Sequence, residues 1–180
     1  MRRRRRSHPD APDASDELLR SLIEEHADAI YRVAYSVVRD PHLAEDVVQE
    51  AVIKAWRAAP SWRGEGSMRS WVLSIAHNTA VSMLRRARDE AHAPASLPER
   101  SGVADEVERA ADGRADLAAL ARALDALDPL SRSIVVLRDI EALSYEQIAE
   151  TLGVPLPTVK TRLLRARREL QRVVLEGAPS

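Results

Sequence analysis

Residues Ser144–Leu170 read SYEQIAETLGVPLPTVKTRLLRARREL and decide the fold of the C-terminal part of the chain. Because Gln147 follows the opening serine by three residues, the pair has the spacing of a capping box and predicts the start of a short helix. Gly153 is expected to end that helix. Pro155 and Pro157 are tolerated only in the first turn of a helix, where backbone N–H groups have no intrahelical partner, so they predict a second helix.

The second helix has an apolar face and a basic face. Aliphatic residues recur at helical spacing and form a packing stripe: Val159, Leu163, Ala166, Leu170 and Val173. Polar and cationic residues fill the other positions: Thr158, Lys160, Thr161, Arg162, Arg165, Arg167 and Arg168. A short helix, a tight glycine turn and a basic second helix are typical of a helix-turn-helix that reads the major groove of DNA. The alternative is an ordinary helical hairpin with a solvated basic face.

The composition indicates an all-α protein with aliphatic cores. Its 180 residues are enough for one large or two small domains, and 45% of them are hydrophobic. Aromatic residues make up only 3% and Phe is absent, which suits helical bundles better than β-sandwiches or barrels. The absence of cysteine excludes disulfides, thiolate zinc sites and cysteine nucleophiles. No apolar run reaches the roughly 18 residues of a membrane span, and we expect a cytoplasmic protein.

Composition and charge divide the chain into five segments. These are a basic tail at 1–15, an N-terminal helical domain at 16–88, a flexible acidic linker at 89–115, a C-terminal helix-turn-helix domain at 116–175 and a short tail at 176–180. Between Asp89 and Asp116 eight anions accompany three cations, and Pro and Gly interrupt any helical pattern, so this segment should not pack. The tail with Arg2–Arg6 is expected to be disordered, and either contacts nucleic acid non-specifically or has no role.

Two Asp-Pro pairs mark helix starts, Asp40-Pro41 and Asp128-Pro129, with the aspartate as N-cap and the proline in the first turn. A long first helix precedes the first pair, with an apolar stripe of Leu18, Leu19, Leu22, Ile23, Ile30, Val33, Ala34, Val37 and Val38. The helix after Asp40 buries Leu43, Val47, Val48, Ala51, Val52 and Ala55, and its other face carries Glu45, Asp46, Gln49, Glu50, Lys54 and Arg57. Such a charged face is usually just solvated. In the last domain, Leu117, Leu120, Ala121, Leu124 and Leu127 form one stripe, and Leu130, Ile134 and Leu137 follow the second pair.

Residues 60–67, PSWRGEGS, interrupt the helical pattern and predict a loop. Trp62 within it is either a plug that anchors the loop to the core or a platform on which an unpaired base stacks. A third helix is expected from Met68 to about Arg88, burying Val72, Ile75, Ala76, Thr79 and Met83. A second stripe holds Trp71, Ser74, Asn78, Val81 and Arg85, and ends in a cationic cluster with Arg86 and Arg88. An aromatic, an amide and arginines on one face suit a reader of single-stranded nucleic acid.

Three segments in this order carry a family resemblance: DPHLAEDVVQEAVIKAW at 40–56, WRGEGSMRSWVLSIAHNTAVSMLRR at 62–86, and LSYEQIAETLGVPLPTVKTRLLRARREL at 143–170. Together they resemble the extracytoplasmic-function group of sigma-70-type sigma factors, and the resemblance covers about 17–174. It implies an initiation subunit of bacterial RNA polymerase with an N-terminal helical domain and a C-terminal helix-turn-helix domain. Pro157 is a departure, since many members have glycine there, and the −10 helix is poorer in aromatic residues than is usual.

The resemblance implies a role for each of three residue sets. Glu45, Asp46, Gln49, Glu50 and Lys54 match the segment that docks on the polymerase clamp helices. Trp62, Arg63, Gly64 and Ser67 match the loop that captures a flipped base of the −10 element, and Trp71, His77, Asn78, Arg85 and Arg86 match the helix beside it. Thr158, Lys160, Thr161, Arg162, Leu164, Arg165 and Arg168 match the reader of the −35 element.

The partners implied are core RNA polymerase, through its clamp helices and flap region, promoter DNA, and an anti-sigma factor. We expect no cofactor, no metal and no small-molecule substrate, because the histidines are scattered and neither a phosphate loop nor a nucleophile elbow is present. The mechanism predicted is binding: holding flipped bases favours the melted promoter over the duplex. Two alternatives are a stand-alone helix-turn-helix transcriptional regulator, which would bind duplex DNA without core polymerase, and a protein-interaction module, which would use only the faces of the first domain and leave the C-terminal arginines unused.

Overall fold

A computed structural model describes residues 14–64, 66–91 and 121–176, and every regular element in these ranges is helical. The N-terminal part contains α1 (Ala14–Val38), α2 (Pro41–Ala58), a 3-10 turn (Ala59–Ser61) and α3 (Met68–Ala91). The C-terminal part contains a helical segment at 121–126, α4 (Pro129–Val135), a π-helical turn (Val136–Ile140), α5 (Tyr145–Leu152) and α6 (Leu156–Glu176). The all-α prediction is confirmed.

The helix starts that the sequence predicts are confirmed by their hydrogen bonds. The Asp40 carboxylate accepts from the backbone N–H of Leu43 at 2.8 Å, and Asp128 accepts from the N–H of Ser131 at 3.1 Å. Ser144 and Gln147 form the complete capping box. Gly153 ends α5 with φ of +64°, a left-handed conformation that glycine adopts without steric cost.

The N-terminal helices α1, α2 and α3 pack as a three-helix unit around fully buried aliphatic side chains such as Ile30, Val47, Val72 and Leu73. The predicted stripe of α1 is wrong at Ile23, which is 47% exposed because it lies at the outer edge of the apolar arc. Helix α3 continues to Ala91, so the first residues of the expected linker are helical. The remainder of that linker and the tails at 1–13 and 177–180 lie outside the described residues.

The helix that follows Asp128 is more complicated than the sequence indicates. Ile134 and Leu137 are buried as expected, but the helix changes after α4 into a π-helical turn, in which the N–H of Glu141 bonds to the carbonyl of Val136 at 3.0 Å. Ala142 then adopts φ of +58°. Ala121 is exposed rather than part of a stripe, and Leu117 and Leu120 lie outside the described residues.

The two helical parts pack directly against each other. α1 contacts α4 and the π-helical turn, and α3 contacts α5. Apolar side chains of both parts, including Ile30 and Val72 from the first and Ile134 and Ile148 from the second, belong to one continuous buried cluster. Two small domains were expected from the sequence, and their docking through a shared core is a finding of the structure.

Candidate nucleic-acid and polymerase interfaces

Helix α6 presents the basic face that its sequence predicts. Val159, Leu163 and Ala166 are buried against the rest of the C-terminal part. The opposite side exposes Lys160, Thr161, Leu164, Arg165 and Arg168, while Thr158 and Arg162 are half-buried. A helix with one packed and one basic face, held by a preceding helix and a glycine turn, has the form of a major-groove reading helix.

Several cations of this face are already paired within the protein. Arg162 donates from Nη1 to the Asp128 carboxylate at 2.9 Å, and Arg167 donates to Asp139. Lys160 Nζ lies 6.0 Å from the centre of the Tyr145 ring. Among the described residues, Arg165 and Arg168 have no ion-pair or hydrogen-bond partner, so they are the cations most available to DNA.

Asp128 is held in its ionised form. Burial opposes its ionisation, but hydrogen bonds from Ser131 and the positive charge of Arg162 outweigh burial and hold its pKa below the ordinary value. The same carboxylate therefore caps α4 and positions Arg162 at the edge of a cleft of about 600 Å³ beside α6. The sequence predicts the capping role of Asp128 but not its contact with α6.

The loop before α3 places two tryptophans together. The rings of Trp62 and Trp71 lie with their centres 5.9 Å apart and their planes tilted by 31°. Gly64 and Gly66 have φ of +76° and +78°, conformations that let the chain turn sharply between the tryptophans. Ser67 then accepts from the N–H of Ser70 at 3.1 Å and starts α3.

A cavity of about 320 Å³ opens beside this tryptophan pair, lined by Ala58, Ser61, Trp62, Arg63, Trp71 and Glu150. Trp62 is half-buried, and its indole Nε1 is buried without a hydrogen-bond partner among the described residues. A cavity with two aromatic walls can hold a planar base by stacking, and its lining carries one positive charge, Arg63, and one negative charge, Glu150.

The other α3 residues that the resemblance matches to the −10 element, His77, Asn78, Arg85 and Arg86, divide into two groups by exposure. Asn78, Arg85 and Arg86 are exposed along α3. His77 is half-buried, and its Nδ1 has no partner within the described part of the chain. Burial lowers the pKa of His77, and the neighbouring Asn78 side chain partly opposes this effect. The exposed group is therefore accessible to a ligand, whereas His77 lies deeper in α3.

Helix α2 exposes the acidic face that its sequence predicts, with Glu45, Asp46 and Gln49 at the surface. Lys54 pairs with Glu50 at 2.6 Å and also donates to Thr79 Oγ1 of α3 at 3.2 Å. The hydrogen bond from Lys54 lowers the pKa of Glu50. Lys54 therefore interacts with two groups of the protein itself. The acidic face of α2 keeps a net negative charge, which can attract a positively charged partner.

One polar group that the sequence does not reveal is Glu141, whose side chain is 0% exposed. Its carboxylate accepts from Arg32 Nε at 2.6 Å and from Arg69, two arginines of the N-terminal helices. The hydrogen bond to Glu141 raises the pKa of Arg32. These partners are 109 and 72 residues away along the chain, a separation over which local sequence patterns carry no signal.

Two further observations concern membrane spans and metal sites among the described residues. No helix in the described ranges is both long enough and apolar enough to cross a membrane. In the same ranges, no group of three histidine, aspartate or glutamate side chains is arranged to hold a metal ion.

Comparison with known proteins assigns the two helical parts to known regions. Residues 22–90 match the model of Sigma-70 region 2, and residues 117–170 match that of Sigma-70 region 4. The chain belongs to the sigma-70 family of RNA polymerase sigma factors.

Relatives place it in the extracytoplasmic-function (ECF) group. The chain is 36% identical over 159 residues to the ECF RNA polymerase sigma factor SigE of Mycolicibacterium smegmatis, an alignment that covers 83% of this chain and 59% of SigE. It is 32% identical over 166 residues to the RNA polymerase sigma factor YlaC of Bacillus subtilis, covering 89% of this chain and 91% of YlaC. The solved sigma factor RpoE of Bartonella quintana, in complex with the anti-sigma factor NepR, has a TM-score of 0.68 at 25% identity, covering 86% of this chain and 95% of RpoE.

Proposed function

We propose that this chain binds core RNA polymerase, directs it to promoters through a −35 and a −10 element, and promotes DNA melting. The observation that carries the proposal is the presence of regions 2 and 4 in one chain, each with an exposed surface suited to its own ligand. The regions occur in the order and at the positions that the resemblance implies. A stand-alone regulator needs only the second of them.

Duplex recognition is assigned to α6. Arg165 and Arg168 are exposed and unpaired within the described residues, and Lys160, Thr161 and Leu164 are exposed on the same helix. Arginine donates two hydrogen bonds to guanine in the major groove, and threonine and leucine contact other base edges and thymine methyl groups. Thr158 and Arg162 complete this −35 surface beside the cleft next to Asp128.

Capture of the melted strand is assigned to the cavity beside Trp62 and Trp71. A flipped base would stack against these rings, with Arg63 at the rim and the Gly64–Ser67 loop beside it. Asn78, Arg85 and Arg86 would contact the strand along α3. His77 is half-buried, so we assign it to packing beneath this surface of α3 and not to direct contact with the strand.

Membership of this family suggests two protein partners for the chain. The acidic face of α2, formed by Glu45, Asp46, Gln49 and Glu50, is assigned to the clamp helices of core polymerase, and region 4 to the flap. Because the solved RpoE of B. quintana is bound to an anti-sigma factor, we propose that this chain also has an anti-sigma partner. The protein would work inside the cell, where polymerase and promoters are found.

The proposed mechanism is binding without covalent chemistry. A protein that binds the melted strand and not the duplex shifts the equilibrium toward melting by its differential affinity alone. The cavity beside the tryptophans supplies an affinity of that kind, because a base in a paired duplex cannot enter it. No cofactor or small-molecule substrate is required.

Core dependence of DNA binding tests this proposal. Promoter fragments are titrated with the protein alone, with core polymerase alone, and with both, and complexes are separated by native electrophoresis. We expect sequence-specific complexes only, or far more strongly, when both are present. Specific binding by the protein alone that core polymerase does not enhance would indicate a stand-alone regulator.

A further inference from the structure

We propose that Asp128 is a positioning residue for −35 recognition: it holds the guanidinium of Arg162 in one orientation, with two of its nitrogens aligned in advance for the edge of a guanine. The inference rests on the proposed function, because it assigns a role within the −35 surface of α6. It adds a residue from outside the helix-turn-helix at 144–170 to base recognition, and it makes Arg162 a reader of sequence.

The Asp128 carboxylate is itself fixed by three donors. Its Oδ1 accepts from the backbone N–H of Ser131 at 3.1 Å and from Arg162 Nη1 at 2.9 Å. Its Oδ2 accepts from the hydroxyl of Ser131 at 2.6 Å, and Ser131 is buried. Because both oxygens are engaged, the carboxylate cannot rotate freely, and it offers Arg162 an acceptor in a fixed place.

The backbone that carries Asp128 is also held in place. Arg132 is buried, and it donates from Nη2 to the carbonyl of Leu127 at 2.8 Å and from Nε to the carbonyl of Leu124 at 2.8 Å. Leu127 immediately precedes Asp128 in the chain. The position of Asp128 is therefore set by contacts of the packed interior.

The guanidinium of Arg162 is engaged at one nitrogen. Its Nη1 donates to Asp128 and lies 3.4 Å from Ser131 Oγ, whereas Nε and Nη2 have no hydrogen-bond partner within the described part of the chain. The side chain is 39% exposed. Arginine carries its five N–H donors in a planar fork, so contacts at Nη1 leave Nε and Nη2 for two parallel hydrogen bonds. Guanine O6 and N7 accept such a pair in the major groove.

Arg162 lies where the cleft beside α6 meets the −35 surface. Thr161 and Arg165 line the same cleft and are exposed on α6. Residues three apart on a helix are neighbours on its surface, so Arg162 lies next to Arg165. The two arginines are therefore placed to contact adjacent positions of one groove.

The pair of Asp128 and Arg162 affects binding more than folding. An ion pair with side chains 51% and 39% exposed contributes little to stability, because water screens it. In DNA binding, an arginine that is oriented beforehand loses less conformational freedom than an unpaired one. The negative charge of Asp128 also repels the phosphates of any DNA sequence. Asp128 thus lowers affinity for incorrect DNA and favours the correct base, and together these effects raise specificity.

One substitution separates these two effects. Asp128→Asn removes the charge but keeps a side chain that caps helices well. Complexes of core polymerase with the natural chain or the variant are titrated with a promoter fragment, and with the same fragment carrying a scrambled −35 element, at one salt concentration. Discrimination is the ratio of the two affinities, so it does not depend on the fraction of protein that is folded.

We expect Asp128→Asn to bind the scrambled fragment more tightly than the natural chain does, and to discriminate about threefold to tenfold less. A carboxylate that only repels DNA would change the first quantity and not the second. A loss of folded protein would raise neither affinity.

Glu169→Gln is the matched control. Glu169 lines the same cleft and its side chain is 43% exposed, but it pairs with Arg172 and not with Arg162. Removing its charge should strengthen binding to the scrambled fragment and leave discrimination unchanged. A loss of discrimination as large as that of Asp128→Asn would assign the effect to charge near the cleft and overturn the positioning role.

A double-variant comparison isolates the route through Arg162. Arg162→Lys keeps the positive charge but loses the planar fork, and should lower discrimination about tenfold. With lysine at this position, Asp128→Asn should cause no further loss, because there is no guanidinium to orient. Losses that add fully in the double variant would show that Asp128 does not act through Arg162.

Two other results would overturn the proposal while leaving the proposed function intact. One is unchanged discrimination in Asp128→Asn when the natural chain discriminates between the fragments. The other is an equal weakening of both fragments by Arg162→Lys, which would assign Arg162 to phosphates and not to a base. A natural chain that does not discriminate between the fragments with core polymerase present would instead contradict the proposed function itself.

Discussion

The guanidinium of Arg132 donates to the backbone carbonyl of Ser36, 96 residues earlier in the chain, at 3.0 Å. It also donates to the carbonyls of Leu124 and Asp125 in the helical segment at 121–126 and of Leu127 just after it. Burial lowers the pKa of Arg132, so these four carbonyls offset a desolvation cost. One side chain thus ties together the segment at 121–126, α4 and α1.

Replacing Arg132 by alanine should lower the free energy of unfolding by about 2–4 kcal/mol, because buried carbonyls lose their donors. Urea denaturation followed by circular dichroism measures the change. Arg122→Ala is the matched control, since Arg122 is exposed on the preceding segment. Equal midpoints for the two variants would show that the Arg132 network is not structural.

Arg165→Ala should weaken discrimination between the correct and a scrambled −35 element by about 1–3 kcal/mol, the value of one bidentate contact with a base. Binding of the polymerase complex to the two sequences is compared at one salt concentration. Arg20→Ala removes the same charge from an exposed position of α1 and should leave discrimination unchanged. Unchanged discrimination in Arg165→Ala would remove this residue from base reading.

Trp62→Ala should leave closed-complex binding nearly intact but reduce promoter opening, because a stacked base contributes about 1–3 kcal/mol. Permanganate reactivity of unpaired thymines measures opening. Trp62→Phe keeps an aromatic surface and should retain most of the opening. An alanine variant that melts promoters normally would return Trp62 to the role of a plug between the loop and the core.

Asp128→Asn separates the charge of Asp128 from its capping role, since asparagine caps helices about as well as aspartate. The pKa of Asp128 is lowered in the folded protein, so its charge stabilises the fold above the unfolded-state pKa, and this contribution is lost as pH falls through the folded-state pKa. We expect the natural chain to be more stable than the variant at neutral pH. The difference should shrink below about pH 4.

Denaturant titrations of both chains from neutral to acidic pH check this prediction. Asp46→Asn is the matched control, because Asp46 is exposed. Asp125→Asn is not suitable, because Asp125 pairs with Arg39. A stability difference that stays constant down to low pH would contradict the ionised state assigned to Asp128.

Two alanine-to-glycine substitutions should have different effects. Ala142 has φ of +58°, where a side chain costs about 1 kcal/mol, so Ala142→Gly should leave stability unchanged or raise it by up to about 1 kcal/mol. Ala87 is exposed within α3, and Ala87→Gly should lower stability by about 1 kcal/mol. Equal losses in thermal denaturation would show that the backbone at Ala142 is not strained.

Local features of the fold could be predicted from the sequence because their causes are local. A carboxylate or hydroxyl two or three residues before a free N–H defines a cap, as at Asp40, Asp128 and Ser144. Helical periodicity likewise separates the buried Val159 from the exposed Arg165 on α6.

Non-local features could not be predicted in the same way. Periodicity places Ile23 on the apolar stripe but does not define the width of the buried arc, and the residue is 47% exposed. Nothing near Glu141 in the sequence distinguishes a buried carboxylate from a solvated one, because its partners are contributed by α1 and α3. The pairing of Trp62 with Trp71 depends in the same way on how the loop folds.

Run-off transcription tests the central claim most directly. Core RNA polymerase is incubated with fragments of the source genome, with and without this protein, and the transcript starts are mapped. We predict protein-dependent transcripts whose upstream regions share a −35 and a −10 element. Absence of such transcripts, together with sequence-specific DNA binding by the protein alone, would contradict the assignment of this chain as a promoter-recognition subunit.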